Sequence, residues 1–176
     1  MTGPQESNPG VVVATVKEID AELGQVKVLY PWRPGTQLSP WAPVVAPMAG
    51  PKRGQLFMPE VDDMALVAFD HGDFDHPYVI GFFWTGVQKS PDTEKTHRVI
   101  VTPGGHELRF EDTNGEKRVV LKSKAGHQVE LSDKDSKVTV KTNGGQSMVL
   151  SDGDSSIELK GGGRTVAMRS GKVQIS

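Results

Sequence analysis

From position 104 onward the chain alternates apolar and polar residues in short bursts. Eight pairs of apolar side chains, each pair separated by one residue, recur: Leu108/Phe110, Val119/Leu121, Val129/Leu131, Val138/Val140, Met148/Leu150, Ile157/Leu159, Val166/Met168 and Val173/Ile175. Successive pairs begin 11, 10, 9, 10, 9, 9 and 7 residues apart. Turn-forming clusters fill the gaps, among them Asp112-Thr113-Asn114-Gly115, Asn143-Gly144-Gly145 and Gly161-Gly162-Gly163. Side chains along a strand point alternately to its two faces, so each pair sends two apolar groups one way and polar neighbours the other. Short strands at regular spacing with turn residues between them predict a β-repeat array.

The segment before it has no helical period. Val11–Ile19 and Gln25–Tyr30 read as a hairpin around Asp20–Gly24, and Pro31 and Pro34 end the second strand because proline cannot donate to a sheet ladder. Trp41–Val45, Gln55–Met58, Met64–Phe69 and Tyr78–Trp84 read as further extended segments, with a Pro/Gly loop over Pro47–Gly54. Several short strands with long loops predict a small closed barrel, of the OB type. The whole chain is therefore expected to be all-β.

Composition divides the chain at the same place. All 12 prolines lie at or before Pro103, and of the aromatic residues only Phe110 follows it. Residues 1–103 carry 8 Lys+Arg against 12 Asp+Glu, whereas residues 104–176 carry 12 against 10. The expected organisation is a disordered arm over 1–9, a barrel over 10–90, a linker over 91–103 and a repetitive β-helix over 104–176. The chain has no cysteine, which excludes a disulfide framework. Met1–Gly10 lacks the basic start and apolar stretch of a signal peptide, and no run is long and apolar enough for a membrane helix. The chain is expected to be soluble when synthesised.

Several runs in the barrel segment carry a resemblance. They are Gly24-Gln25-Val26-Lys27-Val28 with Pro31-Trp32, Ser39-Pro40-Trp41-Ala42, Gly54 to Pro59, Val61 to Phe69, Gly72 to Gly81, and Thr85-Gly86. In order and spacing they resemble the OB domain of VgrG and of baseplate assembly protein V, the central spikes of contractile phage tails and related injection systems. The repeat, with Gly105-His106-Glu107-Leu108 and Gly126-His127-Gln128-Val129, resembles that family's intertwined trimeric β-helix, or β-prism. The resemblance implies a homotrimer that docks on a tail hub and pierces the target cell envelope mechanically, within a virion baseplate or injection-system particle. About ten residues precede the barrel, so the form resembled is the stand-alone spike, its hub a separate chain. Some spikes bind a metal through His-x-His near their apex. No such pattern occurs here and no histidine follows His127, so that site is not carried over; by analogy, a separate PAAR-type tip protein would cap the C-terminal end.

Candidate chemistry is sparse. Asp70-His71-Gly72-Asp73-Phe74-Asp75-His76 puts five potential metal ligands in seven residues, but it separates two apolar strands, where Asp and Gly suit a turn. Asp133-Lys134-Asp135 and Asp152-Gly153-Asp154 lack the Gly-Gly-x-Gly-x-Asp pattern of calcium-binding repeats and read as capped turns. There is no Gly-x-Ser-x-Gly elbow, P-loop or dinucleotide fingerprint, so no catalytic, metal or cofactor site is expected. Trp32, Trp41 and Trp84 raise an alternative function: an OB-type nucleic-acid or oligosaccharide module on an oligomerising stalk. The acidic balance of residues 1–103 argues against nucleic acid as a partner. A wall-degrading enzyme is a third reading, without any inserted lytic segment to support it.

The repeat cannot stand alone. Strands with two core positions each bury too little to offset the ordering of their backbone, so further copies must complete the core and pair the exposed strand edges. The residues expected inside are the sixteen of the eight pairs. Arg109, Lys122, Glu130, Lys141 and Glu158 are expected to face water.

Overall fold

Strand formation in the first part of the chain follows its β-branched runs. Val12–Asp20 (β1) and Gln25–Leu29 (β2) pair as an antiparallel hairpin, with a bulge between Val16 and Glu18. Ala42–Pro43 (β3) continues this meander on the far side of β2. The computed structural model describes residues 10–176, so the expected arm, Met1–Pro9, lies outside the described residues. The described residues form two compact units that divide between Lys89 and Ser90.

In the first unit Met64–Phe69 (β6) joins β1 on its other side, and Pro77–Phe82 (β7) follows as the edge strand. The order is β3-β2-β1-β6-β7, and a parallel bridge from Val44 to Val79 returns the last strand to the first. Val45 N–H donates to the Val79 carbonyl at 2.9 Å to seal it. A five-stranded sheet closed in this order is the OB-type barrel. Its core is narrow because its inward residues are small: Ala14, Val16, Val26, Val28, Ala42, Ala65, Val67 and Val79 are fully buried.

Two details differ from the sequence expectation. Within the Pro/Gly loop, Ala49–Gly50 (β4) and Arg53–Gly54 (β5) form a two-residue hairpin. Gln55–Met58 pairs with no strand among the described residues; its Gln55 N–H instead donates to the Met48 carbonyl at 3.0 Å.

Tyr30 is the one large residue in the barrel core. Its ring packs against Trp32 and Phe69 with centroids 5.7 and 5.9 Å apart, and Phe69 meets Phe74 edge-on at 4.7 Å. The Tyr30 hydroxyl is buried without a hydrogen-bond partner among the described residues. Neighbouring Ser39 Oγ is committed elsewhere, accepting Val28 N–H at 3.0 Å and donating to the Pro40 carbonyl at 2.7 Å. Burial pushes the phenol pKa up to about 12, against the partial opposition of Arg33 and of the nearby Ser39 hydroxyl, which lies close to the phenol without meeting it in hydrogen-bond geometry.

The second unit is a single antiparallel meander. Its strands are His97–Val101 (β8), Glu107–Glu111 (β9), Arg118–Lys122 (β10), Gln128–Ser132 (β11), Lys137–Lys141 (β12), Ser147–Ser151 (β13), Ser156–Gly161 (β14), Arg164–Arg169 (β15) and Lys172–Ile175 (β16). Each pairs with its sequence neighbours, giving one nine-stranded sheet. The eight expected strands are joined by β8, which lies inside the segment read as a linker. Backbone hydrogen bonding along the sheet is thus met within one chain, and among the described residues only the outer edges of β8 and β16 lack a neighbouring strand.

Replacing Tyr30 by Phe removes a hydroxyl that no bond compensates, so thermal stability should hold or rise by about 1 kcal/mol. In the unfolded chain the phenol ionises near its ordinary value, about 10. In the folded protein it ionises only near 12, so the unfolded state loses its proton first and stability falls as pH rises through that window. Melting curves from pH about 9 to about 12 should show a steeper loss for the native protein than for Tyr30→Phe; parallel losses would rule this out.

Candidate functional site

The register of the meander turns the eight apolar pairs into two unbroken rows. Phe110, Val119, Leu131, Val138, Leu150, Ile157, Met168 and Val173 lie opposite one another from strand to strand. Leu108, Leu121, Val129, Val140, Met148, Leu159, Val166 and Ile175 form the second row beside it. Ile100 on β8 extends the second row, while Arg98 stands opposite Phe110 in the first. Sequence reasoning missed Ile100 because Pro91 and Pro103 frame its strand; the β-branched run His97-Arg98-Val99-Ile100-Val101 was the available signal.

Because cross-strand neighbours sit about 5 Å apart on one face, the rows make one continuous apolar surface. It is open in the single chain: Leu121 is 56%, Leu131 46% and Met168 46% exposed. Val129, Leu150, Ile157 and Val166 are half-buried by their neighbours in the rows. An exposed apolar band spanning nine strands is far beyond what an isolated soluble domain presents.

The opposite face is mainly polar, with Val120 and Ala167 buried in its central row, and it carries the five residues expected to meet water. At its β8–β9 end an ion-pair network ties the preceding segment to the sheet. Arg109 bonds to Asp92 and to Glu107, Arg118 Nε bonds to Glu111 at 2.5 Å, and His97 Nδ1 lies 3.1 Å from Asp92 Oδ2. Asp92 also accepts the Glu94 N–H at 2.7 Å. That backbone bond, then His97 and Arg109, hold the Asp92 carboxyl well below the usual carboxylate range. Farther along, Glu158 is paired with Lys160 at 2.6 Å and Arg169 at 2.7 Å, and its carboxyl is lowered accordingly.

The turns are built to repeat. On one side the Thr102, Ser123 and Thr142 hydroxyls accept the N–H of His106, His127 and Gln146 at 3.1, 3.1 and 3.2 Å. His106 and His127 therefore occupy equivalent positions in the repeat, each after a turn glycine. These turns stack closely: a Cβ on Gly126 (φ +91°) would come within 3.1 Å of Asn143 Oδ1. On the other side Ser132 bonds Asp135 at 2.9 Å and Ser151 bonds Asp154 at 3.0 Å, in two Ser-Asp-x-Asp-Ser turns of the same build.

The remaining candidates are also placed by packing. Asp70–Gly72 is a 3-10 turn in which His71 takes φ 48°. Asp73 accepts the Asp75 N–H at 3.0 Å and faces His76 Nδ1 at 2.9 Å. The backbone bond, then His76, lower the Asp73 carboxyl, and Asp73 raises the His76 imidazole in turn. Phe74 anchors this turn to the aromatic cluster, its ring 6.1 Å from that of Trp32. No group of three or more metal-ligating side chains converges among the described residues. Trp41 lies under Lys27 Nζ at 4.7 Å and Trp84 is 65% exposed; no two tryptophans are in ring contact among the described residues.

The barrel closed in OB order agrees with a comparison against known families. Residues 8–84 match the family described as the Type VI secretion system/phage-baseplate injector OB domain. The chain belongs to the phage-baseplate and VgrG-type spike family. Among its relatives, the type VI secretion system spike protein VgrG3 of Vibrio cholerae is 30% identical over 139 residues, covering 69% of this chain and 14% of that protein. The actin cross-linking toxin VgrG1 of Vibrio cholerae is also 30% identical over 139 residues, which are 69% of this chain and 13% of the toxin. The spike protein VgrG2a of Pseudomonas aeruginosa is 28% identical over 141 residues, 70% of this chain and 17% of the relative. The chain thus spans less than a fifth of the length of these family members.

Asp92 has a lowered carboxyl in the fold, so its contribution to stability is present above its ordinary pKa, about 3.9, and is lost as pH falls below it. Asp92→Asn should lower the melting temperature at neutral pH and flatten its fall in acid. A variant with the native acid dependence would show that the Asp92 pairs contribute nothing.

Proposed function

We propose that this chain is the central spike of a contractile phage tail or related injection system, and that it works as a mechanical part. The observation that carries this reading is the pair of eight-residue apolar rows on a sheet whose backbone bonds are already met within the chain. Such a sheet needs a cover for its face more than partners for its edges. Three copies, each offering the same face to a common axis, would bury all three faces in one dry core, with the sixteen paired residues inside. The polar faces with Arg109, Lys122, Glu130, Lys141 and Glu158 then stay in water, which keeps a long rod soluble.

The function follows from that assembly. The OB barrel docks on the tail hub, and the β-prism projects as a needle driven through the target envelope when the sheath contracts. A prism held by continuous hydrogen-bonded sheets and a closed core resists force through its high unfolding barrier. A PAAR-type protein is the proposed cap at its far end, and nucleic acid has no part in this mechanism. No bond-making step is invoked, and the chemistry of a whole relative such as the actin cross-linking toxin is not carried over.

Native mass measurement of the purified protein tests this directly. Three copies are expected, and a stable monomer overturns the spike reading. Leu131→Asp puts a charge on the first row, and in a trimer three such charges meet near one level of the core. Burying unpaired charge costs several kcal/mol per ion, so trimer yield should fall roughly tenfold or more, whereas Leu131→Met should assemble normally. Undiminished assembly of the Asp variant would show that this face is not the interior.

A further inference from the structure

Two turns of the meander carry the same exposed dipeptide, Asn114-Gly115 and Asn143-Gly144. Asparagine before glycine invites a reaction of the chain with itself. The glycine amide nitrogen can attack the asparagine carboxamide carbon, and glycine has no Cβ to obstruct the ring that forms. How fast this happens depends on how freely the two residues move. The fold treats the two sites differently.

Asn143 is held in place. Its N–H donates to His127 Nδ1 at 3.4 Å, and its carboxamide lies over the neighbouring turn, against Gly126. Gly144 is covered by Gln146: a Cβ on Gly144 would lie 3.0 Å from Gln146 Oε1, which itself accepts the Thr142 hydroxyl. The turn at 142–146 is also one of three five-residue turns, with 102–106 and 123–127, closed by the same hydroxyl bonds. Asn114 has none of these restraints. One 2.9 Å backbone bond from Glu116 N–H to the Thr113 carbonyl closes its turn, and the Asn114 carboxamide has no hydrogen-bond partner among the described residues. Gly115 takes φ +78°, and a Cβ on it would meet nothing within 4 Å. Neither glycine N–H is hydrogen-bonded among the described residues, so the two sites differ in the asparagine and its cover rather than in the attacking nitrogen. The turn at 112–117 has six residues, more than any other between strands of this unit.

We propose that Asn114 is a site of spontaneous deamidation, and that the stacked turns keep the same dipeptide at Asn143 intact. The Gly115 amide nitrogen gives its proton to solvent base and bonds to Asn114 Cγ. The bond from Cγ to the side-chain nitrogen breaks, ammonia leaves, and a succinimide ring is formed. Water then opens either carbonyl of that ring, leaving aspartate or isoaspartate. Water is the only co-reactant, and nothing is oxidised or reduced. At Asn143 the same ring requires the side chain to leave Gly126 and its N–H to leave His127. One lost hydrogen bond lowers the open population by up to about tenfold. The consequences differ as well. Isoaspartate adds one carbon to the main chain. In the long open turn at 112–117 that insertion stays local, whereas at 142–146 it would push against Gly126 and disturb the register of β12 with β13.

This proposal stands apart from the spike reading, since it concerns the turns of a single chain. The purified protein, aged in mildly alkaline buffer and sampled by peptide mass mapping, tests it, with isoaspartate methyltransferase labelling to mark the isomerised product. Modification of Asn114 should outpace that of Asn143 by about tenfold or more in the folded protein. In guanidinium chloride the two rates should converge, because the dipeptides are then equally free. Equal rates in the folded protein, faster loss of Asn143, or a difference that survives unfolding overturns the proposal. Gln146→Ala uncovers Gly144 and should raise the rate at Asn143 about threefold or more while leaving Asn114 unchanged. An Asn143 rate indifferent to that change overturns the protection assigned to Gln146. Asn114→Asp carries the unisomerised product and should melt with the native protein; a large loss of stability would show that the turn at 112–117 does not absorb the modification.

Discussion

Cross-strand register is the constraint on which the second unit depends. Each hairpin places residue against residue so that, over nine strands, no apolar pair slips to the other face. A shift of a single residue in any hairpin would invert every side chain beyond it. The turns are what prevent this. The hydroxyl-capped turns on one edge and the Ser-Asp-x-Asp-Ser turns on the other hold each loop to one length and one shape. Their polar bonds look local, yet their effect is to keep a long apolar surface in line.

The barrel solves its packing differently. It closes on itself, so its core is complete within one chain and is filled by alanine and valine with a single large residue, Tyr30. Closure leaves no room for larger side chains, and the aromatic groups instead gather beside Tyr30, where Phe69, Phe74 and Trp32 hold the loop after β2 and the acidic turn before β7. The meander has no such closure. Its hydrogen bonds are internal, while its apolar face is left to be covered. One unit is therefore self-sufficient in side-chain packing, and the other only in backbone pairing.

That difference also explains what could be read from the residues alone. The two rows were legible because period-two alternation and turn clusters coincide over a long stretch, and register then follows from near-equal spacing. The barrel strands Met64–Phe69 and Gln25–Leu29 were legible for the same reason. β8 was hidden because it opens at a histidine and lies between Pro91 and Pro103, so its surroundings read as a linker. The β4–β5 hairpin was hidden because two-residue strands leave no alternation to detect. The pairing needs of the repeat were placed at its strand edges as well as its face. The structure moves them to the face, since consecutive strands already satisfy one another.

Three kinds of interaction then act in three separate directions in the second unit. Hydrogen bonds run along the strand stack and stiffen it within one chain. Apolar contact acts perpendicular to the sheet and is non-directional, so it drives association without fixing how copies are oriented. Charge acts sideways, at the turn edges, where it is weak per pair and screened by salt.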